Sequence, residues 1–190
     1  MTEHQPLNTS HLPVKLRVAD YLLLDASGAF DDYRKTELID GEVLYMNSQH
    51  RPHARVKSRL FLLLAEALRG AAPGLEAIVE GSVAMPPTSV PEPDIVVTSE
   101  PEGDGVIPLA SVRLIVEVSD TTLAFDLGPK AALYAGQGVA EYWVVDVVGA
   151  VVHQLWSPGA EGYAERREVV LGERVEAVTI AGVVVETARV

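Results

Sequence analysis

Pro93-Asp94-Ile95-Val96-Val97 and Leu114-Ile115-Val116-Glu117-Val118-Ser119 are the two stretches on which the reading of the fold turns. Both are short β-branched runs bounded by Pro, Ser or Asp, the pattern of strands buried on both faces. Each carries one carboxylate. Burying an ionised Asp or Glu without a partner costs several kcal/mol, so such groups are paired, strongly hydrogen-bonded or bound to a cation. Two of them, with Lys130 close behind, point to a divalent-metal site. Mg²⁺ takes one or two carboxylates and completes its shell with water, and Asp94 and Glu117 supply that donor set.

Downstream of these strands, residues 126–137 read as a helix that admits Pro129 in its first turn and stops at Gly138. Asp126, Lys130 and Tyr134 then share one face. Residues 141–147, 151–156, 162–170, 174–180 and 183–190 read as a C-terminal β meander, with turns at Gly149, Ser157-Pro158-Gly159 and Leu171-Gly172. Trp143 and Tyr142, in the first of these strands, read as core and site wall.

Upstream, the period becomes helical over residues 52–69, where Val56, Leu60, Leu63, Leu64, Ala67 and Leu68 make one apolar stripe. Arg51, Arg55 and Arg59 line up on a separate face, either as a solvated flank or as a ridge for phosphate contact. His53 falls within the apolar stripe and reads as a half-buried histidine near the helix start. Residues 77–85 read as a strand with a bulge at Gly81, 86–92 as a loop, and 98–108 as an acidic loop. Nearer the start, residues 14–26 suggest a short helix ended by Gly28. Residues 36–39 and 42–46 flank Asp40-Gly41, the strongest short hairpin signal. That turn pairs Ile39 with Glu42 and Glu37 with Leu44, so Glu37 lies on the face of Ile39 and Met46.

The chain has 190 residues, 48% of them hydrophobic, which is enough for one sizeable core. A single domain over residues 1–190 is expected, with polar residues 1–13 flexible. No apolar run approaches the roughly 18 to 20 residues that span a bilayer, and the first ten residues lack the basic start and apolar stretch of a signal peptide. Cytoplasmic residence without membrane attachment is the expectation. The absence of cysteine removes disulfides, thiolate zinc sites and cysteine nucleophiles. A formal net charge of −12 means that nucleic acid would be held by local basic patches and not by the overall field. Nucleotide-binding glycine loops and the Gly-x-Ser-x-Gly elbow of serine hydrolases are missing.

The ordered set Glu37-Leu38-Ile39-Asp40-Gly41-Glu42, His53 at the head of a helix, Pro93-Asp94, Glu117-Val118-Ser119, and Asp126, Lys130, Tyr134, Gly138, Glu141-Tyr142-Trp143 and Asp146 resembles the Uma-two family. These are bacterial endonuclease-like proteins of the PD-(D/E)XK nuclease superfamily, and the resemblance covers residues 14–185. It implies an α/β restriction-endonuclease-like core, with a central mixed sheet flanked by helices, plus an N-terminal helix and hairpin and the C-terminal meander. The implied activity is metal-dependent endonucleolytic hydrolysis of DNA phosphodiesters, with Mg²⁺ or Mn²⁺ on Asp94 and Glu117.

The superfamily's last motif is Asp or Glu, any residue, then Lys, whereas here Glu117 is followed two positions later by Ser119. The resemblance implies that Lys130, from the next helix, replaces the strand lysine. Glu37, His53 and Tyr134 are then supporting residues, and Arg51, Arg55 and Arg59 the nucleic-acid contacts. Cleaving both strands of a duplex is easiest for a symmetric pair, so a homodimer is expected. The alternatives are a catalytically inactive nuclease fold kept for interaction or DNA binding, and a metal-dependent hydrolase of smaller phosphate esters. Without metal, two crowded carboxylates repel each other, so removing either is expected to cost no stability.

Overall fold

A computed structural model describes residues 12–33, 35–46 and 49–190. They group into two compact units, the first formed by the described residues up to 46 with Pro86–Val90, the second by residues 49–85 and Pro91–Val190. Most of the expected flexible opening, residues 1–11, lies outside the described residues.

The first unit holds α1 (Val18–Ala26) and a hairpin of β1 (Thr36–Ile39) and β2 (Glu42–Tyr45). Asp40 and Gly41 both adopt positive φ, 48° and 76°, the backbone that a two-residue turn needs to follow the twist of its strands. The register is the expected one, Ile39 opposite Glu42 and Glu37 opposite Leu44. Helix α1 begins later than the apolar pattern suggests because Arg17 caps it, its amide donating to the Asp20 carboxylate at 2.9 Å. The Tyr21 hydroxyl meets the Thr36 carbonyl at 2.9 Å and its ring stacks on Phe30. Residues 86–90 rest on the same hairpin, Leu38 and Val90 exchanging backbone hydrogen bonds.

The second unit runs through α2 (Arg51–Ala71), β3 (Glu76–Val79), β4 (Val83–Ala84), β5 (Ile95–Thr98), β6 (Ile107–Pro108) and β7 (Val112–Ser119). It continues through α3 (Leu123–Phe125), a π turn (Asp126–Lys130), α4 (Ala131–Gly136), β8 (Glu141–Asp146), β9 (Val151–Gly159), β10 (Gly162–Val170), β11 (Arg174–Glu176) and β12 (Val184–Glu186). Its six-stranded sheet has the order β10-β9-β8-β7-β5-β3, antiparallel except for the parallel pair β7 and β8. Parallel neighbours need a crossover, and residues 120–140 provide it with the helical segment α3 to α4.

Both faces of the sheet are covered. Leu60, Leu64 and Leu68 of α2 pack with Leu114, Val116, Val118, Trp143 and Val145 on one face. Ala131 and Tyr134 pack with Ile115, Tyr142 and Val144 on the other. Truncating one such leucine to alanine typically costs about 2–5 kcal/mol.

Three segments differ from the expected elements. The run 77–85 breaks into β3 and β4 because Glu80 turns the chain at φ 54°, and at Gly81 a Cβ would stand 2.7 Å from the Ile107 side chain. The helix expected over 126–137 contains a π turn at Asp126–Lys130, where Pro129 can donate no helical hydrogen bond. The meander divides as well: β8, β9 and β10 join the central sheet, whereas β11 and β12 form their own hairpin, and residues 177–183 are irregular.

Candidate active site

The register of β5 against β7 builds the site. Ile95 pairs with Val116 in antiparallel sense, so the residue before Ile95 comes alongside the residue after Val116, and these are Asp94 and Glu117. The backbone ties them together. The Val118 amide donates to Asp94 Oδ2 at 2.8 Å, and the Asp94 amide reaches Glu117 Oε2 at 3.4 Å. Both side chains are buried.

Alternation along β7 points Leu114, Val116 and Val118 to the α2 face and sends Glu117 to the α4 face. There Lys130 and Tyr134, four residues apart, donate to the same oxygen, Glu117 Oε1, at 2.8 and 2.9 Å. Tyr134 meets Tyr142 edge-on, and the Tyr142 hydroxyl donates to the Asp126 carbonyl at 3.0 Å within the π turn. Tyr142 is therefore site wall, while Trp143 belongs to the core of the opposite face. Ser119 is buried and sits 3.2 Å from the Thr122 hydroxyl, which donates to Asp126 at 2.6 Å. Burial pushes the Asp126 carboxyl upward, against the lowering effects of Thr122, Lys130 and Ser119.

Asp94 is served from α2. His53 Nε2 stands 3.1 Å from Asp94 Oδ2. Burial alone would lower the His53 pKa, but the hydrogen bond and charge of Asp94 outweigh it and the net shift is upward. Burial likewise works to raise the Asp94 pKa, and His53, the Val118 amide and Lys57 together overcome it and hold the carboxyl low. His53 Nδ1 has no hydrogen-bond partner among the described residues.

Lys57, Gln49 and Glu80 were not singled out from the sequence, yet they complete this side. Lys57 Nζ donates to Gln49 Oε1 and Glu80 Oε1, both at 2.6 Å, and lies 3.3 Å from Asp94 Oδ1. A signal did exist: Lys57 follows His53 by four residues and precedes Leu60 by three, which puts a lysine inside the apolar stripe. Gln49 and Glu80 carried no pattern, since a loop and an unforeseen turn bring them in.

Arg51, Arg55 and Arg59 are exposed on the solvent flank of α2, away from the buried flank that carries His53 and Lys57. Glu37 is fully buried on β1 in the first unit.

Among the described residues no group of three or more His, Asp or Glu side chains converges as a metal cluster. The donor set nevertheless fits a hard cation, because two adjacent carboxylates are what Mg²⁺ takes from a protein when water and phosphate complete its shell. The pairings correct one expectation. Each carboxylate already faces a lysine, so removing Asp94 or Glu117 would take a counter-charge from a buried ammonium and would not merely relieve a repulsion.

Residues 18–187 match the family Uma2, described as "Putative restriction endonuclease". The fold is similar to a crystal structure, at 1.96 Å resolution, of "a putative nuclease belonging to DUF820" from Anabaena variabilis. The TM-score is 0.65 at 15% identity, over 87% of this chain and 91% of that one. No curated protein matches. Among the described residues no helix is long and apolar enough to cross a membrane.

Proposed function

The chain belongs to the Uma2 family, and from that premise we propose that it is a metal-dependent endonuclease hydrolysing DNA phosphodiester bonds. The observation that carries the reading is the buried pair Asp94 and Glu117 with the Lys130 ammonium 2.8 Å from Glu117, although position 119 holds no lysine. The helix delivers its lysine to the carboxylate that a strand lysine two residues on would flank.

Asp94 and Glu117 would hold Mg²⁺ or Mn²⁺, which when bound acidifies water and neutralises charge on the phosphate. Lys130 offers a buried, pre-aimed ammonium to the negative charge that develops at the phosphate, where a fixed charge acts more strongly than in water. The Tyr134 hydroxyl orients Glu117 Oε1, and the His53 imidazole orients Asp94 Oδ2. The reading extends to DNA contacts by Arg51, Arg55 and Arg59, and to a homodimer that presents one centre to each strand.

The test is cleavage of supercoiled plasmid and of single-stranded DNA by the full chain with Mg²⁺ or Mn²⁺, beside Asp94→Ala and Glu117→Ala. Nicking or linearisation by the parent, lost in both variants and with chelator, is the expected result. Equal cleavage by parent and variants would assign the activity to other residues, and no cleavage by a parent that binds Mn²⁺ would make this an inactive relative.

A further inference from the structure

The site has a second buried lysine that the proposed chemistry does not use. Lys57 is 6% exposed in the middle of the apolar stripe of α2. Three polar groups surround its ammonium: Gln49 Oε1 and Glu80 Oε1, each at 2.6 Å, and Asp94 Oδ1 at 3.3 Å. The Gln49 amide in turn reaches Glu80 Oε1 at 3.1 Å and Asp94 Oδ1 at 3.3 Å, so the groups around the ammonium are also bonded to one another. Glu80 presents its carboxylate from a turn at φ 54°, a conformation uncommon for a residue with a Cβ. Its amide also donates to the Asp94 carbonyl at 3.2 Å.

The geometry divides labour between the two oxygens of Asp94. Oδ2 is fixed by the Val118 amide and His53, while Oδ1 faces Lys57 and Gln49. A divalent cation held by Asp94 would therefore sit close to a resident ammonium that Glu80 and Gln49 hold in place. Like charges a few ångströms apart in a partly desolvated site repel strongly.

We infer that Lys57 is a positioning residue with a second effect. It keeps Asp94 aimed while no metal is bound, and its charge holds the metal affinity of the DNA-free protein low, so that metal enters favourably only when phosphate brings compensating negative charge. This rests on Asp94 and Glu117 being the metal ligands, and it concerns affinity, which a purely structural lysine would not affect in this direction.

The experiment is calorimetric titration of Mn²⁺ into the chelator-stripped full chain without DNA, for the parent, Asp94→Ala, Lys57→Met, Lys57→Arg and Glu80→Gln, with a thermal melt of each. Lys57→Met is expected to bind Mn²⁺ about tenfold tighter or more, by loss of the nearby like charge. It should also melt lower than the parent without metal and gain more from saturating Mn²⁺. Lys57→Arg keeps the charge and should keep the parent affinity. Glu80→Gln removes the carboxylate that offsets Lys57 and should bind Mn²⁺ more weakly.

Unchanged or weaker binding in Lys57→Met, with a parent that binds, overturns the inference and leaves the metal site standing. Should Lys57→Met fail to fold, Glu80→Gln decides, and unchanged or tighter binding there overturns it equally. A parent that takes up no more Mn²⁺ than Asp94→Ala overturns the metal-site reading and this inference with it.

Discussion

Replacing Lys130 by methionine removes the ammonium while keeping most of the buried stem, and the structure sets the size of the effect. Lys130 is 2% exposed and its partner Glu117 is 3% exposed, so neither is relieved by solvent when the other is lost. Removing one member of a buried ion pair typically costs about 3–5 kcal/mol. The lower end is expected here, because Glu117 keeps the Tyr134 hydroxyl at 2.9 Å and the Asp94 amide at 3.4 Å. For a chain of this size, about 3 kcal/mol corresponds to a fall of about 6–12 °C in the metal-free melting temperature.

Saturating Mn²⁺ should restore part of that loss in Lys130→Met, since a cation on Glu117 replaces the missing charge, and Mn²⁺ affinity should not fall because an ammonium is no ligand. Cleavage should drop by about a hundredfold or more, as when one pre-organised donor to developing charge is removed. Initial rates of plasmid nicking, taken well below the variant's melting temperature, separate this from unfolding. Adding Ser119→Lys should recover part of the activity, since position 119 shares a strand face with Glu117; recovery is partial because Ser119 is fully buried beside Thr122. Parental cleavage by Lys130→Met, in a protein shown to be folded, would refute the reasoning outright.

Replacing Arg51, Arg55 and Arg59 together by Gln should weaken DNA binding equally for all sequences and reduce the slope of log affinity against log salt by about three, measured by fluorescence anisotropy; an unchanged slope would leave these arginines as a solvated helix flank. Asp94→Ala should melt below the parent in chelator, since it takes an acceptor from His53 and the Val118 amide and a counter-charge from Lys57, and a melting temperature at or above the parent's would contradict the pairing described. Burial raises the Asp126 pKa, so its contribution to stability is fully present below the unfolded carboxyl pKa and is lost as pH rises through the folded value. Asp126→Asn should therefore match the parent near pH 3 and be the more stable at pH 7, by denaturant melts at both pH values. A parent more stable than Asp126→Asn at pH 7 would show the ionised form to be the favoured one.

How much of the site was legible depends on what each residue's neighbours were. Asp94, Glu117, Lys130 and Tyr134 stood out because a charge in a β-branched run, or three polar groups at helical spacing, is visible in one dimension. The hairpin register at Asp40-Gly41 was legible for the same reason, since a two-residue turn dictates pairing locally. Lys57 was legible in principle, as a charge inside an apolar stripe, but a long side chain at such a position usually bends its charge out to water. Here Gln49 and Glu80 hold it in, and neither could be found by spacing. The division of 77–85 into two strands escaped because a left-handed glutamate has no compositional mark.

Beside the family resemblance, which implied the α/β core, local pattern alone determined buried strands carrying two carboxylates, with a lysine-bearing helical segment between the strands that became β7 and β8. Those features follow from period, turn chemistry and the cost of burying charge, all of which act over a few residues. Tertiary structure alone decided which atoms meet: that Asp94 lies beside Glu117 through a register set between strands, that Lys130 reaches Glu117 Oε1 from the crossover, and that Lys57 faces Asp94 from α2. Contacts at sequence separations of 13 and 23 residues are fixed by how strands pair and helices pack, and no local spacing encodes them.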